Sequence, residues 1–561
     1  MMTGESSGKP QRKLENMISE AKLRANNYGK VVGIASRVSP ISHGENNKEV
    51  EVEIPFENYL ESRLIVDSFL GLSLLIPGTL ILGRIKEVSR EDLMSLSRVP
   101  ALSVNEDPSS VATPLRIKVE LISELIDENG VKEVVPPSSP IDPQSPVFLP
   151  NDDFVKTMLG LPIDGIEIGK VVEGYRRREN VEARISKEML SHHILVIGTT
   201  GSGKTNLLKT IYSKSDIPLI AFDIQGDYIR TAIREGGRIV IPMSEDYAKM
   251  GIVPFLKLVF GRSSVDINIE RDLVNVDGQT LTFSSGEKKF KVTLMGFKFS
   301  KVAKDLADIS TLFSPQGAYF FKLIIDNAIV DNISNWETIE KEGKDNLHVN
   351  IHQYTLSNIE RAVKIIQEMR ILDLKIKLSD PGMTLQHKSI ELDEPSYEEL
   401  LKEKITVDLR WIMERGIDAS VTAAYIIMNR IFKLKDNAYK QGKEILPYIM
   451  MFDEAHEYFP QSRKNEEGKE SLERLINKIM RLGRVRGIGT ILATHRPEDL
   501  NDLIITLTNS KVALRADNDA LRRVDMEEYS KILEVSPPGF GIIRTFAYRA
   551  HNVFLRSDKF D

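Results

Sequence analysis

The octapeptide Gly198-Thr-Thr-Gly-Ser-Gly-Lys-Thr205 constrains this chain more than any other stretch. It follows an apolar run, Ile194-Leu-Val-Ile197, that reads as a buried strand. It precedes Leu207, Leu208 and Ile211, whose spacing reads as a helix. G-x-x-x-x-G-K-T between a strand and a helix is the context in which such a loop cradles phosphate. Gly198, Gly201 and Gly203 let backbone N–H groups turn inward where side chains would block approach. The helix N-terminus adds partial positive charge. Lys204 is expected to reach the β- and γ-phosphates, and Thr205 to place its hydroxyl on Mg²⁺. Thr199, Thr200, Ser202 and Asn206 complete the predicted binding set for a nucleoside triphosphate.

Composition narrows the class. A chain of 561 residues has room for roughly two to four domains. Its 41% hydrophobic and 28% charged content suits a globular protein. No uncharged apolar window approaches the roughly 18 residues of a membrane span, and the polar N-terminus lacks a secretory h-region. Cysteine is absent, which excludes disulfides and cysteine-ligated metal sites. A cytoplasmic protein without a membrane partner is expected. The formal net charge of −6 argues against a surface that is basic everywhere, though not against a locally basic channel for nucleic acid.

In chain order, residues 1–28 read as a polar tail and a short helix, with Leu14, Met17, Ile18 and Ala21 at helical spacing. Residues 29–150 alternate at strand period, notably at 31–35, 49–54, 79–88 and 115–122, which predicts a small β-barrel. The proline run from Pro136 to Pro150 reads as extended linker, and 151–185 as a connector. From 186 to 561 the pattern is that of an α/β domain. Within it, 265–297 reads as a β insertion and 300–400 as an inserted, mainly helical subdomain around Trp336. Pro218-Leu-Ile-Ala-Phe222 is a second buried strand, and it places Asp223 at its carboxyl end, where ligands bind in open sheets.

A second acidic motif supports the phosphate loop. Tyr448-Ile-Met-Met-Phe452 reads as a buried strand delivering Asp453 to the sheet edge, where it can hold Mg²⁺ through water. Glu454 is placed to polarise the attacking water. His456 either contacts the terminal phosphate region or orients the acid pair. Arg481-Leu-Gly-Arg484-Val-Arg486 precedes the strand Gly489–Ala493 and Thr494-His-Arg-Pro497. Those arginines read either as a solvated face or as a finger reaching a neighbouring subunit's γ-phosphate.

With these motifs in place, the chain resembles the HerA/FtsK group of ring-forming DNA translocases, its archaeal HerA branch above all. The matching segments are Gly198–Thr205, Phe222-Asp-Ile-Gln-Gly-Asp-Tyr228, Phe452-Asp-Glu-Ala-His456, Arg481-Leu-Gly-Arg484 and Thr494-His-Arg-Pro497. Gly29–Ile34 and Gly78–Gly83 resemble the group's small β-barrel. The resemblance implies a RecA-like P-loop core that hydrolyses ATP with Mg²⁺ at the interfaces of a homo-hexamer threading double-stranded DNA. A NurA-type nuclease partner in DNA end resection is also implied. Lys204 and Thr205 carry over as phosphate and Mg²⁺ residues, Asp453 as the Mg²⁺ acid, Glu454 as the base, and Arg481 or Arg484 as the finger in trans. The group commonly has Gln where this chain has His495, the position of the γ-phosphate sensor, and 265–297 has no evident counterpart. Two alternatives remain open at this point. One is a related motor for DNA transfer or packaging, the other a nucleotide-switched assembly ATPase. The loop after Tyr458, with Arg463, Lys464 and Lys469, is a candidate DNA contact.

Overall fold

Period-2 apolar alternation gives strands that must bury one face, and between 29 and 150 those faces close on one another. The computed structural model describes residues 8–38, 41, 48–62, 64–90, 112–309, 313–347, 349–378, 388–459 and 470–560. The loop with Arg463, Lys464 and Lys469 therefore lies outside the described residues. The chain divides into two units, Met1–Arg184 with Ile542–Asp558, and Ile185–Gly541 with Lys559–Asp561.

In the first unit, the helix Gly8–Tyr28 leads into strands β1 (Gly29–Ala35), β2 (Glu49–Ile54), β3 (Phe69–Ser73), β4 (Thr79–Ser89), β5 (Leu115–Glu128), β6 (Val131–Val135) and β7 (Pro146–Pro150). Their order is β2-β1-β7-β3-β4-β5, and β2 pairs with β5 to close a six-stranded antiparallel barrel, with β6 attached to β5. Val32, Val52, Leu70, Ile81, Ile117 and Val119 fill its interior.

Two departures from the sequence expectation arise here. The end of the proline run is a barrel strand rather than linker. Val147 and Phe148 are buried between prolines that sit at the strand's two ends, where a missing N–H is tolerated. Upstream, Ser138 and Ser139 donate backbone N–H groups to the buried Glu124 carboxylate at 2.6 and 3.0 Å, so that part is anchored too. Residues 151–185 are not a bare connector either. They form the helix Asp152–Leu159, capped by Asn151, and strands β8 (Ile166–Glu173) and β9 (Arg176–Ile185). The strand Val553–Arg556 pairs antiparallel with β8.

The second unit is built on a parallel sheet. Its strands are β10 (Ile194–Ile197), β11 (Leu219–Asp223), β12 (Arg238–Pro242), β13 (Leu273–Asp277), β14 (Thr280–Ser285), β15 (Lys288–Met295), a separate pair β16 (Lys375–Leu378) and β17 (Lys388–Glu391), then β18 (Lys404–Asp408), β19 (Tyr448–Phe452), β20 (Ile488–Thr494) and β21 (Ser510–Ala513). The parallel order is β15-β12-β18-β11-β19-β20-β10-β21. β10, β19 and β20 are buried along their whole length, as expected of strands covered on both faces. β15 corrects the insertion boundary. It pairs in register with β12, Arg238 level with Lys291, so 288–295 belongs to the core sheet, and β13 and β14 extend that sheet as an antiparallel hairpin. Lysines between its apolar residues disguise β15 as a surface strand. The helices Phe299–Ala307, Pro315–Asp326, Trp336–Leu347 and Gln353–Met369 follow. Trp336 stacks on Phe321 at 5.3 Å in their core.

His193, just before β10, ties this strand to its neighbours. Its Nε2 donates to Met480 O at 2.8 Å, and its Nδ1 accepts from Thr490 N–H at 3.2 Å. Burial pulls its pKa down to about 4, against an ordinary value near 6.5. The unfolded chain therefore takes up a proton that the folded chain refuses. The stabilisation is present above about pH 6.5 and disappears as pH falls toward 4, a loss on the order of 3 kcal/mol. Denaturant midpoints of wild type and His193→Gln should converge across that window. Parallel curves would show that His193 does not titrate on unfolding.

Candidate active site

Three parallel strands end side by side in the second unit. β20 lies between β10 and β19, with Ile197 level with Thr494 and Phe452 level with Leu492. Gly198, Asp453 and His495 therefore emerge together at the carboxyl edge, where open α/β sheets bind ligands.

The loop 198–203 feeds the helix Lys204–Lys214 through Gly203 at φ 107°. A Cβ there would lie 2.9 Å from Gly539 N, so glycine is required by space as well as by dihedral. Lys204 is buried, and its Nζ donates to Gly198 O at 2.7 Å and Thr199 O at 3.2 Å. Burial lowers the Lys204 pKa, while Glu454 and Asp453 oppose the shift. The Ser202 hydroxyl is buried without a protein partner among the described residues. An ammonium folded back over a glycine-rich loop, beside an orphaned hydroxyl, fits a polyphosphate.

Asp453 collects two hydroxyl donors on one oxygen. Thr205 Oγ1 donates to Oδ2 at 2.9 Å, and Tyr228 OH donates to the same atom at 3.1 Å. Burial raises the Asp453 pKa against the Thr205 hydrogen bond, and the Glu454 charge adds to the rise. The Thr205 and Asp453 oxygens suit a small hard cation such as Mg²⁺. Glu454 takes the left-handed conformation, φ 54° and ψ 51°, which costs a non-glycine residue about 1–3 kcal/mol. Its Oε2 lies 2.7 Å from His495 Nδ1 and 3.6 Å from His456 Nδ1.

The remaining predicted residues divide. Thr199 uses N–H and hydroxyl on Arg515 O at 2.7 and 3.1 Å, Thr200 is exposed, and Asn206 Oδ1 accepts from Phe560 N–H at 2.6 Å. Asp223 does not present a free carboxylate to the loop. It is buried and accepts the backbone N–H groups of Gln225, Gly226, Asp227 and Tyr228 at 2.7 to 3.2 Å. Burial and nearby Asp408 push its pKa up to about 7 against those donors. Its role is to shape the turn that carries Tyr228. Arg481 and Arg484 are exposed and lie before β20, at the opposite edge of the sheet from His495. Arg484 acts electrostatically on His192, which precedes β10, and Arg481 lines a surface groove with Lys478 and Leu503. Arg486 is structural, paired with Asp436 at 2.6 Å and set over Phe432 and Tyr439.

Two site residues escape sequence reasoning. The Tyr228 hydroxyl reaches Asp453 across 225 positions of chain, and only the adjacency of β11 and β19 brings them together. Arg515 follows β21, and its guanidinium is the nearest group to a Cβ built on Gly201, at 3.9 Å. The available signal was a lone arginine after a short apolar strand beginning at Ser510.

The family described as "Helicase HerA, central domain" matches residues 166–282. The DNA double-strand break repair helicase HerA of Pyrococcus furiosus is 22% identical over 470 residues, 79% of this chain and 77% of that one. A probable DNA double-strand break repair helicase HerA of Methanocaldococcus jannaschii is 23% identical over 404 residues, covering 68% and 73%. Among solved structures, VirB4 of Thermoanaerobacter pseudethanolicus aligns with TM-score 0.43 at 8% identity, covering 71% of this chain and 97% of that one. Among the described residues no helix is long and apolar enough to cross a membrane.

Tyr228→Phe tests the positioning of Asp453. Losing one hydrogen bond should cost about 1 kcal/mol of stability and raise the Mg²⁺ concentration for half-maximal nucleotide hydrolysis. A wild-type Mg²⁺ dependence would remove the hydroxyl from this role.

Proposed function

As the chain is a HerA-like P-loop ATPase of the HerA/FtsK superfamily, we propose that it is a hexameric ring motor that moves double-stranded DNA in end processing. The observation that carries this reading is the meeting of Lys204, Thr205, Asp453, Glu454 and His495 at one sheet edge. Similarity to double-strand break repair helicases along most of the chain supports it.

Lys204 and the loop N–H groups hold the ATP phosphates, and Asn206 and Arg515 flank them. Thr205 and Asp453 would hold Mg²⁺, which would supply neutralising charge to the phosphates. Glu454 takes the water that attacks the γ-phosphate, and His495 Nδ1 fixes the carboxylate that does so. The strained backbone at Glu454 suits a side chain held in one orientation before substrate arrives. In this assignment Arg484, with Arg481 as alternate, neutralises transition-state charge at a neighbour's nucleotide. Its distance along β20 from its own site supports a role in trans. The barrel of the first unit carries no phosphate-loop motif, and we assign it to assembly and to docking a NurA-type nuclease.

Duplex DNA tests the substrate. Linear double-stranded DNA should stimulate ATP hydrolysis well above single strands or no DNA, and the effect should fall steeply with salt as counterions are released. Equal rates in all three conditions would favour a nucleotide-switched assembly protein.

The residue roles separate in variants. Lys204→Ala should lose hydrolysis and bind nucleotide weakly, whereas Glu454→Gln should bind ATP and retain it. Arg484→Ala should bind ATP normally and hydrolyse it about 10³-fold or more slowly. Mixed rings of Arg484→Ala and Glu454→Gln subunits should regain activity, because some interfaces then pair an intact arginine with an intact glutamate. Subunit exchange without recovered activity would exclude Arg484 as the finger, and the same mixture with Arg481→Ala would test the alternate.

A further inference from the structure

Two histidines crowd the carboxylate assigned to the attacking water, and hydrolysis needs only one partner there. Glu454, His456 and His495 each offer a ligand atom, and these atoms lie within 4.8 Å of one another. The imidazole rings meet edge to face, with centroids 4.7 Å apart. We infer that these three side chains form a binding site for a divalent transition ion of the Zn²⁺ class, separate from the Thr205–Asp453 oxygen pair.

Hydrogen bonding around His456 favours this reading. Arg496 N–H donates to Thr494 Oγ1 at 3.0 Å, and the same oxygen lies 3.1 Å from His456 Nδ1. In the tautomer where the Thr494 hydroxyl donates this contact, His456 Nδ1 carries the lone pair a metal needs. On the other side of the ring, Nε2 faces Glu457 Oε1 at 3.4 Å. A carboxylate behind the far nitrogen of a metal-binding histidine orients the ring and raises its basicity. The Thr494 hydroxyl can rotate away, so Nδ1 is available.

The geometry needs little adjustment. Ligands about 2.0–2.1 Å from a tetrahedral Zn²⁺ lie roughly 3.3 Å apart. Glu454 Oε2 is now 2.7 Å from His495 Nδ1 and 3.6 Å from His456 Nδ1, so these two separations change by less than an ångström, and the histidine nitrogens already lie within 4.8 Å of each other. Three protein ligands leave a fourth position open. His456 is nearly buried, while His495 is 28% exposed and gives an ion its way in. Two imidazole nitrogens disfavour Mg²⁺, which prefers oxygen in octahedral array, and favour Zn²⁺ and its neighbours.

Occupancy has a consequence that rests on the role proposed for Glu454. A carboxylate oxygen bound to Zn²⁺ cannot polarise water, so the ion acts as a brake that excess Mg²⁺ does not relieve.

The full-length protein, free of nucleotide and in millimolar Mg²⁺, is titrated with Co²⁺ by visible absorption and with Zn²⁺ by equilibrium dialysis. One ion per chain is expected, with the intense absorption of a four-coordinate Co²⁺ site. His456→Ala and His495→Ala should each weaken Zn²⁺ binding about 100-fold, and Glu457→Gln about 10-fold. Because an alanine could loosen the site, His495→Gln serves as the second variant. It can still donate to Glu454, so it should melt like wild type yet lose the Co²⁺ band. Binding that both histidine variants retain, or only weak octahedral Co²⁺ absorption, overturns the site. Zn²⁺ bound through both histidines without slowing hydrolysis overturns the brake. Zn²⁺ bound in this way by a wild-type chain that never hydrolyses ATP overturns the ATPase reading and leaves the metal site standing.

Discussion

The Asp453 carboxylate joins the parts of the candidate site. One oxygen receives the Thr205 hydroxyl from the helix after β10 and the Tyr228 hydroxyl from the turn after β11. A buried carboxylate without such donors would be costly and would take up a proton. With them, loops from three strands are held in one arrangement. Asp223 extends the same logic by gathering four backbone N–H groups, so that the turn places Tyr228 where Asp453 needs it. That turn is braced in its turn, since Leu409 N–H donates to Asp223 O, and neighbouring Asp408 holds Arg410 and Trp411.

Strand order makes this convergence possible. Because β20 separates β10 from β19, His495 stands between the phosphate loop and the acid pair. Its imidazole then contacts Glu454, while Thr494 from the same strand engages His456. The left-handed backbone at Glu454 is sustained by this surrounding structure, as local strain at ligand sites usually is. The histidines give the acid both a fixed orientation and a set of nitrogen donors, and the inferred transition-ion site follows from that combination.

Much of this was legible in the chain. The phosphate loop, the buried strand ending in Asp453-Glu454, and the strand ending in Thr494-His495 are local patterns set by few residues. Continuous apolar runs of four or five residues mark strands buried on both faces, and β10 and β19 are of this kind. Other elements were hidden for identifiable reasons. β7 is framed by prolines, β15 is interrupted by lysines, and β8 and β9 intersperse charges with their apolar residues.

What the sequence determined by itself is therefore the local chemistry: a glycine-rich loop of the pattern that suits an anion, a lysine and threonine at its end, and acids at the tip of a buried strand. Backbone sterics and periodicity act over a few residues, so these features can be read without a fold. Only the tertiary structure decided which groups meet. Tyr228 reaches Asp453, Asp223 turns away into its own loop, Arg515 approaches the phosphate loop, and His456 joins His495 around Glu454. Those contacts depend on which strands are neighbours and in what register. That choice is made by packing whole hydrophobic faces, and no short stretch of sequence contains it.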